Sequence, residues 1–132
     1  MLNNKDLLSI NELSESEIIS IINNANNYYH SNKISSKKKV LNNCTQINLF
    51  FENSTRTQVS FEIAGTLLGA NVVNFPFNNS SQSKGETLLD LAATLNSMNP
   101  DILIIRHPNS GAVQLISEKV DCPVVNAGDG NH

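Results

Sequence analysis

Four short segments carry side chains able to handle an anion. Ser54-Thr55-Arg56-Thr57 follows the β-prone run Ile47-Asn48-Leu49-Phe50-Phe51, and Lys84 stands just before Gly85 and Glu86. Arg106-His107-Pro108 and Gly128-Asp129-Gly130 each follow a further apolar run. If Ser-Thr-Arg-Thr opens a helix, the unsatisfied N–H groups of the first turn and the positive end of the helix dipole favour an anion there. The three hydroxyls add donors that rotate to suit a phosphate oxygen, and Arg56 adds a bidentate, charge-assisted contact. The plainer alternative is an ordinary Ser/Thr cap beside a surface arginine. Its position after a strand, with Arg106 and Lys84 on the same edge, favours the anion site. A lysine at the start of a helix, as Lys84 would be, opposes the dipole unless an anion or an acid compensates. His107 reads as a structural histidine in preference to a general acid. Glu52 is unsuited to phosphate and better suited to pairing with a cation elsewhere. The patterns G-x-x-x-x-G-K-[ST] and G-x-G-x-x-G are absent, and Gly128-Asp129-Gly130 reads as a tight turn with no helix left to open.

The elements that must position these groups alternate. Ser14 and Glu17 form a capping box at the head of a helix whose stripe is Ile18, Ile21, Ile22, Ala25 and Tyr29. The stretch from Tyr29 to Asn43 is polar, and its Lys37-Lys38-Lys39 run reads as a solvated loop. A strand over 47–51 leads to a helix through Val59, Ile63, Ala64, Leu67 and Leu68, closed by Gly69. A second strand covers 71–75 and ends at Pro76, and a polar loop over 78–84 follows. A helix over 86–98 presents Leu88, Leu91, Ala92, Leu95 and Met98, and the strand 101–106 is apolar enough to be covered on both faces. A helix over 111–119 carries Ala112, Leu115 and Ile116, and a fourth strand covers 123–126. Helices between successive strands imply parallel βαβ crossovers: an α/β fold, a doubly wound parallel sheet of about four strands with helices on both faces, preceded by an N-terminal helix. Ligands of such sheets bind beyond the carboxyl ends of the strands, where all four segments fall. The order of the strands is not legible.

Composition narrows the class. The chain has 132 residues, 39% hydrophobic and 16% charged, with net charge −3, which suits one domain and disfavours bulk binding to nucleic acid or anionic membrane. No apolar run reaches the roughly 20 residues needed to cross a bilayer, and no signal-peptide pattern opens the chain, so the expected compartment is the cytoplasm. Cys44 and Cys122 make neither a disulfide framework nor a metal spacing. Lysines number seven and arginines two, against 21 asparagines, which reads as a nucleotide-composition bias. In such a chain the surviving arginines, Arg56 and Arg106, mark places where an ammonium cannot replace a guanidinium.

The run Phe50-Phe51-Glu52-Asn53-Ser54-Thr55-Arg56-Thr57, followed by Ser60-Phe61-Glu62, resembles the carbamoyl-phosphate signature of the aspartate and ornithine carbamoyltransferases. Lys84-Gly85-Glu86-Thr87, Arg106-His107-Pro108 and Asn126-Ala127-Gly128-Asp129-Gly130 look like the aspartate branch. The resemblance implies that Ser54, Thr55, Arg56 and Thr57 bind the phosphate of carbamoyl phosphate, and that Thr57 and Arg106 also reach the carbonyl oxygen under attack. It implies that Ser80, or Ser81 beside it, and Lys84 lie on a loop entering the neighbouring active site of a homotrimer. Glu52 resembles the family's acid that pairs with arginines of a second domain. The implied reaction is attack by the α-amino group of L-aspartate on the carbamoyl carbon, giving N-carbamoyl-L-aspartate and phosphate in pyrimidine synthesis. It needs no cofactor, no metal and no covalent nucleophile, since positioning and cationic donors suffice. Catalytic roles would fall to Arg56, Thr57, Arg106 and Lys84.

Two departures stand out. Gln58 replaces a frequent second arginine, off the phosphate turn. The family's histidine-proline-threonine-glutamine motif and aspartate-binding domain do not follow, and His132 lacks the following proline. The expectation is therefore that residues 1–132 form a carbamoyl-phosphate-binding domain, half of a longer enzyme and inactive alone. A transcarbamoylase for another amine and a non-catalytic phosphate-binding or assembly module remain open, as does the presence of regulatory subunits.

Overall fold

The computed structural model describes residues 2–30, 39–75 and 87–130. Its elements run α1 (Glu15–His30), β1 (Thr45–Phe50), α2 (Thr55–Leu67), β2 (Asn71–Asn74), α3 (Leu88–Ser97), β3 (Ile102–His107), α4 (Ala112–Ser117) and β4 (Val124–Asp129). The strands form one parallel sheet in the order β2-β1-β3-β4. From β1 the chain thus steps outward to β2, then returns across β1 to β3 and β4. Right-handed crossovers put α2 on one face and α3 and α4 on the other. Among the described residues no helix is long and apolar enough to cross a membrane.

Alternation along the strands divides the faces. Ile47, Leu49, Leu103, Ile105 and Val124 are buried with Leu91, Ala92 and Leu95 of α3 and Val113 and Ile116 of α4 in one apolar cluster. The opposite face of β1 carries Gln46 and Asn48, both buried amides. Several local readings shift. α3 starts at Leu88, two residues after the expected start, because Thr87 and Asp90 form a capping box; Glu86 lies outside the described residues. Met98 is exposed, and Val113, not Leu115, supplies the α4 core contact with Ile116. Gly111 precedes that helix with φ +84°, a turn that rotates Val113 inward. β4 continues through Ala127, Gly128 and Asp129, residues expected in the turn, since Asp129 still pairs with His107 beyond a register shift. Gly69 terminates α2 at φ +95°, as expected.

The N-terminal segment runs parallel to β4. The Leu7 N–H donates to the Val124 carbonyl at 2.9 Å, and the Leu7 carbonyl accepts from Asn126 N–H at 2.9 Å. The α1 stripe is only partly covered: Ile18, Ile21 and Ile22 line a groove of about 370 Å³ with Leu7, Leu8 and Leu13, and Ile22 and Tyr29 are exposed. The capping box is present. Ser14 N–H donates to Glu17 Oε2 at 2.7 Å, Glu17 N–H donates to Ser14 Oγ at 3.2 Å, and Asn3 N–H donates to Glu17 Oε1 at 2.8 Å. The backbone hydrogen bonds from Ser14 and Asn3 hold the Glu17 carboxyl below its ordinary value of 4.5. A carboxylate depressed by folding stabilises above its unfolded pKa and loses that contribution as pH falls through its folded value. We expect Glu17→Gln to unfold at lower urea than the parent at pH 7, with the difference shrinking as pH drops below about 4.5. An equal deficit at pH 7 and pH 3 would contradict this.

Candidate active site

β1 and β3 are adjacent, and the connections leaving their carboxyl ends run in opposite directions, to β2 and to β4. The crevice at such a reversal is where doubly wound sheets hold ligands, because neither loop covers it. Phe50 pairs with Arg106 in register, and the Phe51 N–H donates to the Arg106 carbonyl at 2.9 Å. Both arginines therefore belong to the two strand ends that flank this one crevice.

Ser54 precedes α2 with φ −122° and ψ 67°, and no side chain caps the helix. Its hydroxyl donates instead to Thr57 Oγ1 at 2.9 Å. The first intrahelical bond is Gln58 N–H to the Ser54 carbonyl at 2.9 Å. The N–H groups of Thr55, Arg56 and Thr57 precede that bond and stay available to an anion. The Ser54–Thr57 bond turns both hydroxyls toward one another, on a turn where Thr55 and Arg56 are exposed. A helix with a serine at its head but no side-chain cap is arranged as an anion cradle more readily than as a closed end.

Arg106 is half-buried. Its Nη1 donates to the Ala127 carbonyl at 2.8 Å, and its Nε is buried with no partner among the described residues. Gly128, at φ +130°, makes this placement possible: a Cβ there would lie 2.2 Å from Arg106 Nη1. Residues 8–11 and 126–128 enclose a cleft of about 520 Å³ beside the guanidinium. Reading Gly128 as a turn glycine missed this role. The signal was its place on the same strand edge as Arg106, which becomes informative only once β3 and β4 are known to be neighbours.

His107 is buried, as expected of a structural residue. Its Nδ1 accepts from Asn109 N–H at 3.0 Å, and its ring packs on Phe51 with centroids 4.4 Å apart. Burial lowers its pKa from 6.5, against smaller opposing effects of the Asn109 hydrogen bond and of Asp129 and Glu52. The buried Asp129 accepts from Gly111 N–H at 2.9 Å and from Asn126 Nδ2 at 3.2 Å, so the glycine-aspartate-glycine segment braces α4. Ser54, Thr55, Arg56, Thr57 and Arg106 thus share one edge. Ser80, Ser81 and Lys84, with the rest of the 78–84 loop, lie outside the described residues, as do Lys37, Lys38 and His132.

Residues 5–132 match the family model described as aspartate/ornithine carbamoyltransferase, carbamoyl-P binding domain. The aspartate carbamoyltransferase catalytic subunit of Ruegeria pomeroyi is 55% identical over 129 residues, covering 97% of this chain and 42% of the relative. That of Bartonella quintana is 56% identical over 127 residues, 96% of this chain and 40% of the relative. The chain therefore spans about two-fifths of the length of these curated relatives. Among solved structures, aspartate transcarbamoylase from Trypanosoma cruzi in complex with carbamoyl phosphate and aspartate superposes with a TM-score of 0.85 at 36% identity, covering 96% of this chain and 39% of that one. The same enzyme in its ligand-free form gives 0.82 at 33% identity.

Proposed function

The chain belongs to the aspartate/ornithine carbamoyltransferase family, and from that membership we propose that its strand-end edge binds carbamoyl phosphate for transfer of the carbamoyl group to L-aspartate. The observation that carries this is the placement of Arg106 in register with Phe50, four residues before the uncapped Ser54 turn, at the point where the winding of the sheet reverses. The phosphate lies on the first-turn N–H groups of α2, with the hydroxyls of Ser54, Thr55 and Thr57 and the guanidinium of Arg56 around it. Arg106 and Thr57 donate to the carbamoyl oxygen.

The chemistry follows from that charge arrangement. The neutral α-amino group of aspartate attacks the carbamoyl carbon, and negative charge builds on the carbamoyl oxygen in the tetrahedral intermediate. Donors already oriented toward that oxygen stabilise it without reorganising. The bond from carbon to the bridging phosphate oxygen then breaks, and the departing phosphate takes both the electron pair and the proton that the nitrogen gives up. The products are N-carbamoyl-L-aspartate, which serves pyrimidine synthesis, and phosphate held by Arg56 and the helix terminus. In this reading Ser80 and Lys84 approach from a neighbouring copy in a cytoplasmic homotrimer. The aspartate contacts belong to a second domain, as the length of the relatives suggests.

Titration calorimetry with inorganic phosphate and with carbamoyl phosphate tests the phosphate cradle. Arg56→Ala removes a charge-assisted contact worth about 1.5–3 kcal/mol, so both affinities should fall about tenfold to a hundredfold. Unaltered affinity for both would sink the anion site.

A further inference from the structure

Beneath α2 the sheet is polar where the opposite face is apolar. Asn48 is fully buried and Gln46 nearly so. Buried amides are costly unless bonded, and these form a chain across three elements. Gln46 Nε2 donates to Asn48 Oδ1 at 3.0 Å and to the Phe61 carbonyl of α2 at 3.0 Å. Asn48 Nδ2 donates to Asn74 Oδ1 at 3.0 Å, and Asn74 Nδ2 donates to Glu62 Oε2 at 3.1 Å. Two successive residues of α2 are thereby tied to β1 and β2.

Apolar packing alone would leave the height of the helix on the sheet loosely set. Of the residues that mark this helix in the sequence, Val59, Ile63, Ala64 and Leu67 are exposed and only Leu68 is half-buried. The helix instead sits close through Gly65, where a Cβ would lie 2.3 Å from Gln46 Oε1 and 2.8 Å from Val72 Cγ2. Hydrogen bonds are directional, so they resist sliding that apolar contacts tolerate. β1, which carries Gln46 and Asn48, is in turn locked in register with the Arg106 strand. We propose that Gln46, Asn48 and Asn74 are positioning residues, which set the height of α2 on the sheet and so hold the Ser54, Thr55, Arg56 and Thr57 cradle in register with Arg106. The functional part of this inference rests on the anion-site reading above.

The test compares carbamoyl-phosphate affinity, which draws on both the cradle and Arg106, and helix position in the full chain. Asn48→Leu keeps the branched side-chain skeleton, though with bulkier ends, and breaks its links to Gln46 and Asn74; Asn74→Ala breaks the links to Asn48 and Glu62 and adds no bulk. Ile116→Ala, on the opposite face of the sheet, provides a variant destabilised without touching α2. We expect Asn48→Leu to lose carbamoyl-phosphate affinity about tenfold or more, Asn74→Ala to lose less, and Ile116→Ala to keep it at temperatures where all are folded. Glu62→Gln, which retains an acceptor for Asn74, should bind as the parent does. Equal losses in Asn48→Leu and Ile116→Ala, or parental affinity in Asn48→Leu, would overturn the proposal. If Asn48→Leu does not fold, parental affinity in Asn74→Ala overturns it. Spin-label distances from α2 to β3 are read in parallel without ligand. If the parent binds no phosphate, the anion reading fails, and an unmoved α2 in the folded amide variants then overturns the positioning role separately, while a shifted α2 upholds it.

Discussion

Gly128→Ala is expected to cost carbamoyl-phosphate affinity about tenfold or more, although residue 128 does not contact the ligand in the proposed arrangement. Two effects act together. At φ +130° an alanine is strained by about 1–3 kcal/mol. Its Cβ would also stand 2.2 Å from Arg106 Nη1, far inside contact distance. The guanidinium must leave, which breaks its 2.8 Å bond to the Ala127 carbonyl and moves the charge off the crevice. Calorimetric unfolding should show a fall of about 4–11 °C in Tm, in keeping with that strain. A variant that loses stability yet binds carbamoyl phosphate like the parent would show that Arg106 is not held by Gly128.

Arg106→Ala and Arg106→Lys probe the same group directly. In the crevice, Nη1 is already committed to a main-chain carbonyl, so the guanidinium is fixed before any ligand arrives. If the proposed function holds, the alanine variant should lose about a hundredfold in carbamoyl-phosphate affinity. Lysine restores the charge but cannot hold Ala127 and reach a ligand with a rigid planar fork, so we expect it to recover less than about tenfold of the loss. Full recovery by lysine would mean that charge alone matters and that the fork geometry does not. The two variants also separate Arg106 from Arg56. Inorganic phosphate should feel Arg56→Ala more strongly, whereas Arg106 variants should discriminate against carbamoyl phosphate, whose carbonyl would keep only one of its two proposed donors.

Much of the local structure was legible because it depends on neighbours a few residues away. The Ser14–Glu17 box, the Gly69 stop after α2 and the near-continuous apolar run of β3 all follow from short-range pattern. The Thr87–Asp90 box is local too, but its aspartate at the third helical position is a weaker sequence signal than the Glu/Gln of the usual box, so the helix start shifts from Glu86 to Leu88. β4 was read too short because a glycine within Ala127-Gly128-Asp129 suggests a turn, while pairing of Asp129 with His107 extends the strand. Leu115 and Val113 exchanged places because a six-residue helix is too short for its period to fix which side faces the sheet.

By itself the sequence determined the parallel α/β class, the chemistry of the groups at the strand ends and the family signature, since each is written in contiguous residues. Only the tertiary structure decided that β1 and β3 are neighbours, that the sheet reverses between them, and that Gly128 lies against Arg106. Those facts rest on pairing between segments 20 to 60 residues apart, where the hydrophobic pattern is the same for several strand orders. The buried amides under α2 belong to the same class. Asparagine is so common in this chain that nothing local distinguishes Asn48 from its exposed counterparts, and only burial between helix and sheet gives it a task. The two arginines stood out for the opposite reason: with so few in the chain, their places at strand ends were informative before the fold was known.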